Sequence, residues 1–291
     1  MKLRASSYPI SHKPHSSFGS KVALAAPPCL VTSWRSVLGE SYAGKFVPAI
    51  GYYILKKNDE LMMPDHDHDQ SQILINLGGV AIGNGLIDPV TQVATHADNA
   101  YFSGLINERQ RVELEWHQQE AIRLAKMRHW REATNAIHQV VDMLHSMTGL
   151  PTLYDYSKKA PYHKTHWVTD YLHNQRVKKV LGVKESAVFR NCSHVVKVAL
   201  YEDNMKSVKY MVELLVKRSK VLLYQGQFDL WDGVYSTEAW VKTLQWEEIG
   251  SFLSADRKVW KVNGDELSGY VQKWGSFEPC CGFKGRASCA C

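Results

Sequence analysis

The hexapeptide Gly39-Glu-Ser-Tyr-Ala-Gly44 constrains this chain more than any other stretch. A serine with small residues two positions before and two after suits a sharp strand-to-helix turn. Only small side chains tolerate the crowding when such a turn pushes the hydroxyl into solvent. The strict form of the pattern has glycine at position 43, where this chain carries Ala43. Alone, so short a pattern also arises by chance.

Hydrophobic periodicity supplies the setting. Gly79-Val-Ala-Ile-Gly-Asn-Gly85 is an apolar run closed by Gly-Asn-Gly, which reads as a buried strand ending in a turn. Asp88-Pro89 opens a long helical region. Within it Ala133, Ile137, Val140, Val141 and Leu144 share one helix face, and Gly149 with Pro151 stops that helix. Lys220-Val-Leu-Leu-Tyr224 is a second buried strand, followed by Gln225-Gly-Gln227. Lys258–Val262 and Gly269–Trp274, separated by Asn263-Gly264, predict a hairpin. Strands separated by helices indicate an α/β fold. Asp229 stands just past the second strand, where a late strand of such a sheet would present a carboxylate. An ordinary turn aspartate is the competing reading of that residue taken alone.

Charge excludes one class of partner. The net charge is +6, yet five of those charges lie in residues 1–39, which hold no acid, and the sixth in the last 17 residues. The body is neutral, whereas a nucleic-acid-binding domain carries its charge on the folded part. No apolar run approaches the roughly 20 residues of a membrane span. Four of the six cysteines (Cys280, Cys281, Cys289 and Cys291) crowd the last 12 residues, with Cys29 and Cys192 elsewhere. That is neither a disulfide framework nor the paired spacing of a zinc site. Asp65, His66, Asp67, His68 and Asp69 are consecutive, so they converge poorly on one ion and read as a solvated loop. No metal or cofactor is expected.

Three segments together carry a family resemblance. Gly39-Glu-Ser-Tyr-Ala-Gly-Lys-Phe-Val-Pro48 resembles the nucleophile motif of serine carboxypeptidases, plant members most of all. Gly79–Pro89 resembles that family's next strand and turn, and Val221–Asp229 its acid-bearing strand. The resemblance covers about residues 39–274 and implies a partial α/β-hydrolase fold with a helical cap inserted at about 100–200. It implies Ser41 as nucleophile, Asp229 as triad acid, and the Tyr42 N–H as half of the oxyanion hole. Glu40 would share a proton to hold the terminal carboxylate of a peptide substrate, since two carboxyl groups share a site only when one is protonated. The chemistry implied is acyl transfer through a serine ester.

The rest of the reading concerns what is missing. None of the 13 histidines follows Asp229; the last is His194. Residues 1–35 form a basic, serine- and proline-rich leader. It resembles a transit peptide in composition, though a non-native leader is the favoured reading, and Val22–Ala26 is too short for a signal-peptide core. The family's upstream oxyanion segment has no counterpart there. Residues 275–291 read as an aberrant cysteine-rich tail. With permitted codons, the stretch from Glu278 read one nucleotide later gives Ser-His-Val-Val-Val-Leu-Arg-Ala-Gly-His-Leu-Val-Pro, similar to the family's final strand and histidine loop. The tail is therefore expected to be a frameshift product, with the histidine encoded across Ala287 and Ser288. The sheet is expected to lack its early and last strands, and the chain to be aggregation-prone and catalytically impaired. An acyltransferase on the same scaffold and a non-catalytic binding product are the alternatives. The family implies a secreted or vacuolar setting, although no signal peptide is visible. Asn191-Cys192-Ser193 is a glycosylation sequon if the chain is translocated.

Overall fold

The computed structural model describes residues 22–25, 35–63, 74–160, 166–190 and 192–282. The leader up to residue 21, the Asp/His run at 65–69, Asn191 of the sequon, and Cys29, Cys289 and Cys291 lie outside the described residues. In chain order the first elements are β1 (Val22–Ala25), β2 (Arg35–Glu40), α1 (Ala43–Leu61) and β3 (Leu77–Gly83). Helices α2 (Pro89–Val93), α3 (His96–Phe102), α4 (Glu108–Lys126), α5 (Trp130–Thr148), α6 (His166–His173), α7 (Gln175–Val180), α8 (His194–Ala199) and α9 (Lys209–Arg218) follow. The chain continues through β4 (Lys220–Gly226), α10 (Val234–Val241), α11 (Ile249–Leu253), β5 (Lys258–Val262), β6 (Glu266–Val271) and β7 (Phe277–Gly282).

The seven strands form one sheet in the order β1-β2-β3-β4-β7-β6-β5. Strands β2, β3, β4 and β7 run parallel, while β1 and the β5–β6 hairpin pair antiparallel at the two sides. Register explains the core. Val37, Val80, Val221 and Phe277 sit side by side across the four parallel strands, and all four are buried. They pack with Val47, Ile54, Val212, Leu215 and Trp240 from the helices on that face. The opposite row, Leu38, Ala81, Leu222 and Glu278, is only half-buried.

The cap lies between β3 and β4. Helices α4 and α5 pack through Leu114, Ala121, Ile122, Ala133, Ile137, Val140 and Leu144. Those α5 residues are the helix face the sequence marks. Gly149 ends α5 in the left-handed region at φ 62°, its N–H donating to the His145 carbonyl, a conformation that costs glycine little. Asn107 caps α4 reciprocally with Gln110. No helix among the described residues is long and apolar enough to cross a membrane.

Strand β7 corrects the expectation for the chain end. It lies within the stretch read as a tail, yet it occupies the place beside β4 where a missing last strand was expected. Two features of its sequence fit poorly. Cys280 and Cys281 replace the β-branched residues such a strand favours, and Pro279 sits in a strand bonded on both sides. The Gln272 N–H donates to the Pro279 carbonyl at 3.0 Å. In an antiparallel pair of this kind the partner N–H answers, and proline has none. Pro279→Val should therefore stabilise the chain by roughly 1 kcal/mol. A urea midpoint unchanged or lowered in the variant would show that the missing bond is compensated.

Candidate active site

Three turns, after β2, β3 and β4, meet at the C-terminal ends of the parallel strands, where open α/β sheets place their ligands. The first follows β2. Ser41 stands between the strand and α1 at φ 63°, a left-handed conformation that costs a non-glycine residue about 1–3 kcal/mol. Three backbone bonds hold it there: Ser41 N–H to the Gly83 carbonyl at 2.9 Å, and Gly44 and Leu86 N–H to the Ser41 carbonyl at 2.9 and 3.1 Å. Gly44 makes the close approach possible, because a Cβ there would lie 2.4 Å from the Leu86 nitrogen. Ala43 is buried inside the helix start and meets no such obstacle. The crowded position in this turn is 44, not 43.

Asp229 follows β4 and is almost wholly buried. Its Oδ1 accepts from the Trp231 and Asp232 N–H groups at 2.7 and 3.0 Å. Its Oδ2 accepts from the Asn84 side-chain amide at 2.7 Å. Asn84 comes from the turn after β3 at φ 39°, a region asparagine tolerates better than most residues. The same amide also donates to the Asp232 carbonyl at 3.2 Å, and Asn84 Oδ1 accepts from the Gly226 N–H at 3.1 Å. Asn84 thereby ties the turn after β3 to both ends of the Asp229 loop.

Two further residues support that loop. Gln92 is buried, accepts from the Ile87 and Asp88 N–H groups, and donates to Asp232 Oδ1 at 2.7 Å. His96 contacts the Trp231 carbonyl through Nε2 at 3.0 Å. A carbonyl only accepts, so the proton sits on Nε2, leaving Nδ1 a buried acceptor without a partner among the described residues. Sequence reasoning placed neither Gln92 nor His96 here, and it read Gly83-Asn-Gly85 only as a turn.

Burial lowers the His96 pKa to about 4 from the ordinary 6.5. Between those values the unfolded chain binds a proton that the folded chain refuses, so stability falls as pH drops from 6.5 toward 4. Roughly 2–3 kcal/mol should be lost by pH 4.5 relative to pH 7. His96→Gln should remove that share of the difference between urea midpoints at the two pH values. An identical pH dependence in variant and parent would assign it elsewhere.

The remaining residues expected at the site lie close by. Glu40 ends β2, and its Oε1 accepts from the Tyr224 hydroxyl at 3.3 Å. Tyr42 is buried, stacks edge-on against Phe46, and has its hydroxyl pKa raised by burial and by Asp203. Lys45, one helical turn beyond the serine, donates to the Lys206 carbonyl; burial pulls its pKa down to about 7 against Asp88, Asp232 and Asp203. Ser41, Tyr42, Trp231 and Asp232 line a cleft of about 460 Å³ to which the cap contributes His138 and His194. Strand β7 ends beside the Asp229 loop, where the Gly282 carbonyl accepts from the Gln227 N–H at 2.8 Å. Among the described residues no cluster of three or more His, Cys, Asp or Glu is suited to a metal.

Comparison with known proteins gives the setting for this geometry. The family model described as serine carboxypeptidase matches residues 28–280, so the match begins inside the stretch read as leader and ends inside β7. "Serine carboxypeptidase-like 50" of Arabidopsis thaliana is 50% identical over 238 residues, covering 82% of this chain and 51% of that protein. "Probable serine carboxypeptidase CPVL" of Dictyostelium discoideum is 32% identical over 247 residues, covering 83% of this chain and 47% of that protein. The chain spans about half the length of these curated relatives. Among solved structures, the prohormone-processing carboxypeptidase Kex1(Δ)p of Saccharomyces cerevisiae superimposes with a TM-score of 0.67 at 22% identity, over 84% of this chain and 56% of that one. That likeness concerns the fold, an α/β-hydrolase sheet with an inserted cap.

Proposed function

Because the chain belongs to the serine carboxypeptidase family, a hydrolase family, we propose that Ser41 and Asp229 are the nucleophile and the acid of an acyl-transfer site for peptide C termini. The observation that carries this reading is the strained turn at Ser41, bonded to the strand end that also delivers Asn84 to the Asp229 carboxylate. In the proposed reaction the Ser41 hydroxyl loses its proton to a base and attacks the scissile carbonyl. The Tyr42 N–H donates to the oxyanion, the C-terminal amino acid leaves, and water releases the ester. Glu40, adjacent to the serine, receives the substrate carboxylate by sharing one proton with it. Such sharing requires acid, and an acidic optimum follows.

The base is an imidazole that residues 230–291 do not contain. Asp229 accepts hydrogen bonds from Asn84, Trp231 and Asp232, as a triad acid would need, and the sequence after β7 reads Phe283-Lys-Gly-Arg-Ala-Ser-Cys-Ala-Cys291. The 291-residue chain is therefore proposed to be impaired as a hydrolase. Family membership supports a secreted or vacuolar setting as part of the same proposal. The test compares this chain with its Ser41→Ala variant on a blocked dipeptide at pH 5. Equal rates near background are expected. Hydrolysis that requires Ser41 would mean another residue serves as base.

A further inference from the structure

The cleft over Ser41 has an uneven distribution of charge. Its cap wall carries His138 from α5 and His194 with Lys197 from α8. The last two are three positions apart and therefore share a helix face. Lys197 is exposed and has no ion-pair partner among the described residues. The one carboxylate lining the cleft, Asp232, is buried and already accepts from Gln92. Of the acids nearby, Asp203 is held by Lys206 at 2.7 Å. Asp142 acts on His138 from their common helix, and Lys197 acts on the same ring in the opposite sense. The cap thus offers the cleft one cation, Lys197, that no acid among the described residues pairs with, beside the imidazoles of His138 and His194.

Resting on the reading of Ser41 as the nucleophile, we propose that the His138–His194–Lys197 wall selects peptides with an acidic side chain beside the scissile bond. A carboxylate entering the cleft meets Lys197 unpaired, whereas a lysine side chain meets it as a like charge. At an exposed site such as that of Lys197 an interaction of this kind changes affinity about 2- to 5-fold.

Cys192 provides a readout that does not depend on catalysis, because it is a free, exposed thiol lining the same cleft. Its modification by a maleimide, followed as the mass of the Cys192 peptide, should slow when the cleft is occupied. N-acetyl-Glu-Phe should half-protect Cys192 at about 2- to 5-fold lower concentration than N-acetyl-Gln-Phe, with N-acetyl-Lys-Phe weakest. Lys197→Gln should bring the three together, and Lys197→Glu should reverse their order. Equal protection by the Glu and Gln peptides, or an order unchanged in Lys197→Glu, would overturn the charge selection while leaving the cleft as the peptide site. No protection by any of the three would remove both the selection and the placing of substrate over Ser41.

Discussion

Ser41 in this chain is expected to react with a fluorophosphonate no faster than background, and a histidine returned to the loop after β7 should raise that rate by about 10³-fold or more. A serine hydroxyl is a weak nucleophile until a neighbouring base takes its proton. The strained turn presents Ser41, and Asn84 with two backbone N–H groups orients Asp229. On the proposed reading the part still needed is an imidazole between them, and residues 230–291 hold no histidine. Substituting the alternative reading Ser-His-Val-Val-Val-Leu-Arg-Ala-Gly-His-Leu-Val-Pro from position 278 onward supplies it and also replaces Pro279 and both cysteines of β7. The control is the same tail with its second histidine changed to alanine, which keeps the improved strand and lacks the base. Labelling should follow the histidine and not the strand. Asp229→Asn in the repaired chain should lose about 10⁴-fold. Rapid labelling of Ser41 in the unrepaired chain would sink the account of an absent base.

The parts of the site legible in the sequence are those fixed by local chemistry. The turn at Ser41 needs small neighbours within a few residues, and Gly39 to Gly44 display them. The buried face of α5 repeats with helical period, so its extent and its glycine stop follow from a short window. Strand β4 is a continuous apolar run, as buried parallel strands are. What stayed hidden depends on residues distant in the chain. Gln92 and His96 reach Asp232 and Trp231 across 140 and 135 positions, and nothing near either residue announces such a partner. Strand β7 was missed for the opposite reason. Proline and paired cysteines argue against a strand, but the free sides of β4 and β6 supply bonding partners that override local propensity. The half-buried row of Leu38, Ala81 and Leu222 on the other sheet face keeps the expectation of aggregation in force even with β7 in place.

Asn84→Ala should be among the most damaging single substitutions outside the apolar core, costing about 3–5 kcal/mol. The side chain is buried and uses both of its polar atoms. Its amide nitrogen serves Asp229 Oδ2 and the Asp232 carbonyl, and its oxygen serves the Gly226 N–H. Alanine leaves three buried groups without these partners, each costing about 1–3 kcal/mol when no replacement is found. It also keeps the positive φ of position 84 while being less suited to it than asparagine. Water entering the vacated space would reduce the cost, which is why the expected value falls below the simple total. The check is the urea midpoint of parent and variant, read at pH 7 where His96 is neutral in both states. Asn84→Gly separates the two contributions, since it removes the same hydrogen bonds but accepts the positive φ freely. Glycine should therefore be no more harmful than alanine despite its greater chain entropy. A loss under 1 kcal/mol for both variants would show that the Asp229 loop holds itself in place without the turn after β3.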